Sequence, residues 1–284
     1  MTSHGPTPPP RRLGRRGALL LSVLLFAAPA GAGEVLPFRA PPETERPAGP
    51  GADLVRLGRR IATHTPAELP DLGGNALRCS NCHLKAGTVP YAAPWVGAPA
   101  RYPRYSARNA RQVDLRERIQ GCFQRSLNGK APRKDSRAMD ALVAYIRWLS
   151  KDLPPGATVE GRGMPMLDEP AVPDRRRGAR LYLDRCAVCH GEDGAGRLDQ
   201  KPPRYPYGFP PLWGPRSFNI AAGMARLHKA AAFIQRNMPL AAGGTLTVQE
   251  AYDIADFVIH QPRPDFPGKE RDWPKGGKPE DARY

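Results

Sequence analysis

Apolar residues recur at helical spacing in four stretches of this chain, and the stretches fall into two similar pairs. Leu54, Leu57, Ile61 and their neighbours predict an opening helix. Met139, Leu142, Val143, Ile146 and Leu149 form the apolar stripe of a closing helix over 136–150, with Ser136 as its cap. A second opening helix is expected at about 174–185. Its closing partner over 247–260 begins at the capping box Thr247-x-x-Glu250, buries Tyr252, Ala255, Phe257, Val258 and Ile259, and stops at Pro262. Between the members of each pair the chain is irregular. Sparse aromatics, 34 prolines and 29 glycines point to loop-rich units whose cores are completed by something other than side chains.

The N-terminus carries a different pattern. Arg11, Arg12, Arg15 and Arg16 precede an apolar run from Ala18 to Ala28, and Ala30-Gly31-Ala32 offers a small-residue cleavage site. Eleven apolar residues are too few to span a bilayer, so the expectation is a secretory signal over 1–32 and no stable membrane insertion. Removing it takes four arginines and no acid from a chain of formal charge +16, leaving +12 on 252 residues. Such an excess suits an anionic substrate or an acidic redox partner. An exported chain without a nucleic-acid-binding motif argues against nucleic acid.

Four of the five cysteines change the picture further. Cys79-Ser-Asn-Cys82-His83 and Cys186-Ala-Val-Cys189-His190 are both C-x-x-C-H, the attachment signature of c-type haem. Each cysteine pair can form thioethers to one haem, and the adjoining histidine can ligate its iron. A zinc site built from two knuckles would not need a histidine directly after each second cysteine. An opening helix, C-x-x-C-H, a loop and a closing helix make up a small class I cytochrome c unit. The expected fold is therefore mainly α: two tandem class I cytochrome c-like domains with long irregular loops, over 33–151 and 174–262. A Pro/Gly-rich linker over 152–173 joins them, and a tail over 263–284 follows, with Phe266 and Trp273 as candidate anchors. Two covalently bound haem c groups are expected, in the periplasm.

Each haem also needs a distal ligand. In the second domain Met238, followed by proline and nine residues ahead of Thr247, is the favoured candidate over Met224, His228 and Lys229. The first domain has only Met139 ahead of the linker, and that residue belongs to an apolar stripe; His64 precedes the motif. Cys122 lies where a distal ligand is wanted. A free cysteine is commonly a small buried hydrophobe, but an idle thiol in an oxidising compartment is a liability. Its surroundings, Asp114 to Ser126, read as a helix on which Arg118, Cys122 and Ser126 share one face. Arg118 there is either a solvated charge or an anion contact beside a thiolate.

Several longer strings resemble the dihaem thiosulfate dehydrogenases, which join two thiosulfates into tetrathionate. They are Cys79–Thr88, Arg118–Ser126, Ala144–Ser150, Phe209–Asn219 and Asn237–Leu240, spread over nearly all of the mature chain. The resemblance implies a catalytic first haem ligated by His83 and Cys122, with an anion pocket at Arg108, Arg118 and Ser126. It implies a second, electron-transferring haem ligated by His190 and Met238. Electrons would pass from the first haem to the second and on to an acceptor protein, another c-type cytochrome. The family also covers the reverse reaction, tetrathionate reduction. Some relatives place a lysine ligand just before the methionine, where this chain has Asn237. Two other readings stay open: a dihaem carrier of electrons in which Cys122 is structural, and a thiosulfate-conjugating dihaem subunit of the sulfur-oxidising multienzyme system.

Overall fold

The same helix crossing is built twice along the chain. The computed structural model describes residues 1, 2, 5, 35–42, 44, 45, 47–197 and 208–284. The expected signal peptide thus falls almost wholly outside the described residues, of which no helix is long and apolar enough to cross a membrane. Six longer helices lie within the compact unit Glu34–Tyr284: α1 (Ala52–Thr63), α2 (Leu115–Arg125), α3 (Arg137–Trp148), α4 (Arg175–Arg185), α5 (Leu227–Asn237) and α6 (Val248–Ile259). In the first half α1 packs on α3; in the second α4 packs on α6, which also packs on α5. A glycine makes each crossing possible. A Cβ on Gly58 would meet the carbonyl oxygen of Ala141 at 2.0 Å, and one on Gly178 would meet that of Asp253 at 2.0 Å.

Local signals set the helix ends. Asp114 and Thr247 each accept from the backbone N–H three residues on, while Glu117 and Glu250 reach back, so both helices start in capping boxes. Ser136 caps α3 as expected, and Asp174 caps α4. Ile61, Phe123, Met139, Leu142 and Ile146 are fully buried in the first core. Removing each such side chain from water contributes roughly 1.5–3 kcal/mol. Phe218, Ala222 and Ala225 of the second half complete that core, so the halves share apolar surface.

Short strands tie the irregular stretches down. β1 (Val35–Leu36) runs parallel to β4 (Thr158–Val159) inside the linker, and β2 (Arg104–Ser106) pairs antiparallel with β3 (Arg111–Val113). The linker is held further by Tyr91 N–H to Gly161 O (2.6 Å) and Ala93 N–H to Gly163 O (3.0 Å). The C-terminal tail wraps the surface. Trp273 is buried with the Arg108 guanidinium over its ring, and Arg125 lies over Phe266.

Candidate functional site

Cys122 owes its place to α2 and to the braces on that helix. Its C-terminal end is held from the second half: Asn219 donates through its side chain to Gln124 O (2.9 Å) and through its backbone to Arg125 O (3.1 Å). Asn75 bridges Ser126 O (2.9 Å) and Ser217 O (3.1 Å). The tail adds Asp272, which grips Arg125. A helix so clamped presents its 118–122–126 face in a fixed direction.

That face lines a cavity of about 400 Å³, a volume typical of ligand pockets. Cys79, Cys82 and His83 line the same cavity, with Trp95, Ile119, Leu142 and Ile146 as apolar walls. Arg118 Nη1 donates to Cys122 Sγ at 3.0 Å. The charge on Cys122 pushes the Arg118 pKa up, outweighing burial, with Tyr102 adding to it. The guanidinium therefore stays charged beside the sulfur. Ser126 also lines the cavity.

The residues present fit a covalently attached haem. His83 Nδ1 donates to Ala93 O at 2.6 Å, which fixes the tautomer and leaves Nε2 free to ligate. Burial drives the His83 pKa down to about 4, so the imidazole is neutral, as a ligand must be. Arg78, next to the first motif cysteine, lines the cavity and has a buried Nη1 with no partner, an atom suited to a haem propionate. The second motif repeats the arrangement: His190 Nδ1 donates to Pro210 O at 2.9 Å, and burial lowers its pKa. A second, apolar cavity is lined by Cys186, Cys189, His190 and Met238. Leu77 and Cys82 line both cavities, so the two sites share a wall.

One expected pocket residue lies elsewhere. Arg108 does not line the cavity. Its Nη1 donates to Ala221 O (2.8 Å), its Nε lies 3.6 Å from Asp272, and its guanidinium covers Trp273. It braces the tail behind α2 and does not face the sulfur. His64 lines a different cavity, beside Arg56 and Trp148, and its Nδ1 pairs with Thr63. Of the alternatives to Met238, His228 is held by Tyr252 OH (2.9 Å) and Met224 lines the second cavity too. Lys229 turns instead to the first cavity. Sequence reasoning also missed Arg101, Arg104, Arg162 and Met164, which line the first cavity. The surplus of basic residues was the only signal for the arginines.

The SoxA/TsdA cytochrome c domain model matches residues 71–154, and that of cytochrome c oxidase, cbb3-type, subunit III matches residues 173–258. The chain is 44% identical over 246 residues to a thiosulfate dehydrogenase of Psychrobacter arcticus, covering 87% of this chain and 74% of that protein. It is 49% identical over 220 residues to one of Allochromatium vinosum, covering 76% and 80%. Among solved structures, the thiosulfate dehydrogenase (TsdBA) from Marichromatium purpuratum, in its as-isolated form, aligns with a TM-score of 0.77 at 42% identity. That match covers 82% of this chain, and the chain spans half the length of the solved one.

Proposed function

Because this chain belongs to the thiosulfate dehydrogenase family of c-type cytochromes, we propose that it couples two thiosulfates into tetrathionate at Cys122. It is an oxidoreductase with two covalently bound c-type haems in tandem cytochrome c domains. Cys79, Cys82, His83 and Cys122 would hold the first haem, and Cys186, Cys189, His190 and Met238 the second. When bound, the haems would supply one-electron acceptors for the two electrons released, which would leave by way of the second site to an external acceptor, a c-type cytochrome of the periplasm. The wall shared by the two cavities supports electron exchange between the two sites.

The Arg118–Cys122 contact at 3.0 Å carries the reading. A guanidinium held beside the sulfur can grip an anion that approaches it. Ser126, one turn further on, adds a hydroxyl that can donate to a sulfonate oxygen. Attack of the Cys122 thiolate on the sulfane sulfur of one thiosulfate forms an S–S bond and releases two electrons. A second thiosulfate then displaces tetrathionate and restores the thiolate. Charge and atoms balance: each thiosulfate brings two negative charges, and tetrathionate leaves with two. Arg108, paired with Asp272, acts behind the helix and makes no substrate contact in this scheme.

The test is an assay of purified holoprotein with thiosulfate and ferricyanide. The expected result is one tetrathionate for every two ferricyanides reduced, with a thiosulfate adduct on Cys122 by mass spectrometry under limiting acceptor. Electron exchange with a cytochrome but no thiosulfate turnover would leave a carrier and no enzyme.

A further inference from the structure

Six basic side chains line the cavity around Cys122. They are Arg78, Arg101, Arg104, Arg118, Arg162 and Lys229, and among the described lining residues there is no aspartate or glutamate. A c-type haem brings two propionates, which offset two of these six charges. Four remain. Two thiosulfate dianions carry four negative charges, and they must come together against about 1 kcal/mol of repulsion per unit-charge pair at 4 Å even in bulk water, and more in a partly dry cavity.

Lys229 stands apart within this set. Every other described lining residue lies between positions 77 and 165, whereas Lys229 comes from α5 of the second half. Its ammonium has no ion pair or hydrogen bond among the described residues, in contrast to neighbouring Arg226, which pairs with Asp281. Burial lowers its pKa, and Arg226, Arg118 and Arg104 press in the same direction against Asp281 alone. A desolvated cation among other cations, with no carboxylate of its own, is poised for an incoming anion. Its position is fixed as well: Asp281 accepts from His228 N–H (3.2 Å) and from Arg226 Nε (2.7 Å), pinning the first turn of α5 to the tail. The same tail grips α2 through Asp272 and Arg125, so one segment anchors both the Cys122 helix and the Lys229 helix. Arg104, on exposed β2, marks the solvent side of the cavity.

We propose that Lys229 and Arg104 form a second anion subsite, supplied jointly by the two halves, which seats the second thiosulfate opposite the Cys122–Arg118–Ser126 face. This rests on the coupling reaction proposed above. The first subsite orients the thiosulfate that meets Cys122. The second neutralises the incoming dianion and delivers its sulfane sulfur, turning an encounter of like charges into one between seated partners. In reverse, the same pair grips the distal sulfonate of tetrathionate.

The experiment is calorimetric titration of reduced holoprotein with thiosulfate, which cannot be oxidised there for want of an acceptor, together with steady-state kinetics and haem spectra. Wild type is expected to bind two thiosulfates per chain. Lys229→Gln should bind one and show a KM for thiosulfate raised about 10- to 100-fold, the scale of one charge-assisted contact, with unchanged absorption and potential of both haems. Lys229→Arg should regain two. The subsite is overturned if wild type binds only one, or if Lys229→Gln still binds two. It is equally overturned if that variant shifts the first haem's spectrum or potential while binding thiosulfate normally, since Lys229 would then serve a propionate. A wild type that forms no tetrathionate defeats the underlying reaction and the subsite with it, whereas normal turnover with an indifferent Lys229 defeats the subsite alone.

Discussion

Asp272 meets the guanidinium of Arg125 with both carboxylate oxygens, at 2.8 and 2.9 Å, and so fastens the C-terminal tail to the helix that carries Cys122. The pair lies 147 residues apart in sequence and is largely enclosed, with side-chain exposures of 6% for Asp272 and 16% for Arg125. Tyr284 and Arg108 add further contacts to the same carboxylate. Removing one partner of a buried pair leaves an uncompensated charge and costs about 3–5 kcal/mol. Asp272→Ala is therefore expected to lower Tm by about 10 °C, scaled to a chain of this size. Scanning calorimetry of the holoprotein reads this directly, and an unchanged Tm would mean the tail is no brace.

The two helix crossings predict a matched pair of defects. Gly58→Ala and Gly178→Ala each drive a methyl group into a carbonyl oxygen that stands 2.0 Å from the new Cβ position. Overpacking of this kind costs typically about 1–3 kcal/mol, and backbone on the far side cannot yield as a side-chain tip would. Both variants should unfold at lower denaturant than wild type. A midpoint unmoved in either would show that the crossing has slack.

Acid stability should depend on Asp253. Burial alone would raise its carboxyl pKa, but Arg177, the Asp174 N–H and Gln249 outweigh burial and hold it below the ordinary value. A carboxyl whose folded-state pKa is depressed contributes stability above its unfolded pKa of about 3.9, and that contribution is lost as pH falls through the folded value. Asp253→Asn should be less stable than wild type at neutral pH and lose less stability as pH falls below its ordinary carboxyl value. Urea titrations at stepped pH give both slopes; parallel slopes would contradict the assignment.

Sequence carried the two haem motifs and the helix pairs because their signals are local: contiguous C-x-x-C-H, apolar spacing, and caps three residues from their partners. Cys122 was legible for the same reason, since Arg118 and Ser126 are its neighbours one turn away on α2. Arg108 was misplaced because its partners, Asp272, Trp273 and Ala221, arrive from more than a hundred residues away. Lys229 was weighed as a ligand of the second haem, in whose domain it lies. Only the docking of α5 against the first half turns it to the other cavity. Neither pairing leaves a periodicity or a motif to read.

Arg118 tests the electrostatics of the site apart from the sulfur itself. Arg118→Gln removes the donor 3.0 Å from Cys122 Sγ and should cut tetrathionate formation by about 10²–10³, the range for loss of one preorganised donor at a reacting centre. Arg118→Lys keeps the charge without the planar fork and should recover part of the rate. Rates of both variants equal to wild type would place the guanidinium outside the reaction.

The central claim is that the Cys122 sulfur turns an electron-carrying cytochrome into a catalyst. Its most direct measurement is the rate of tetrathionate formation by Cys122→Gly against wild type, in holoproteins of equal haem content. The predicted result is loss of thiosulfate oxidation with both haems still attached through Cys79, Cys82, Cys186 and Cys189. Turnover at the wild-type rate would contradict it.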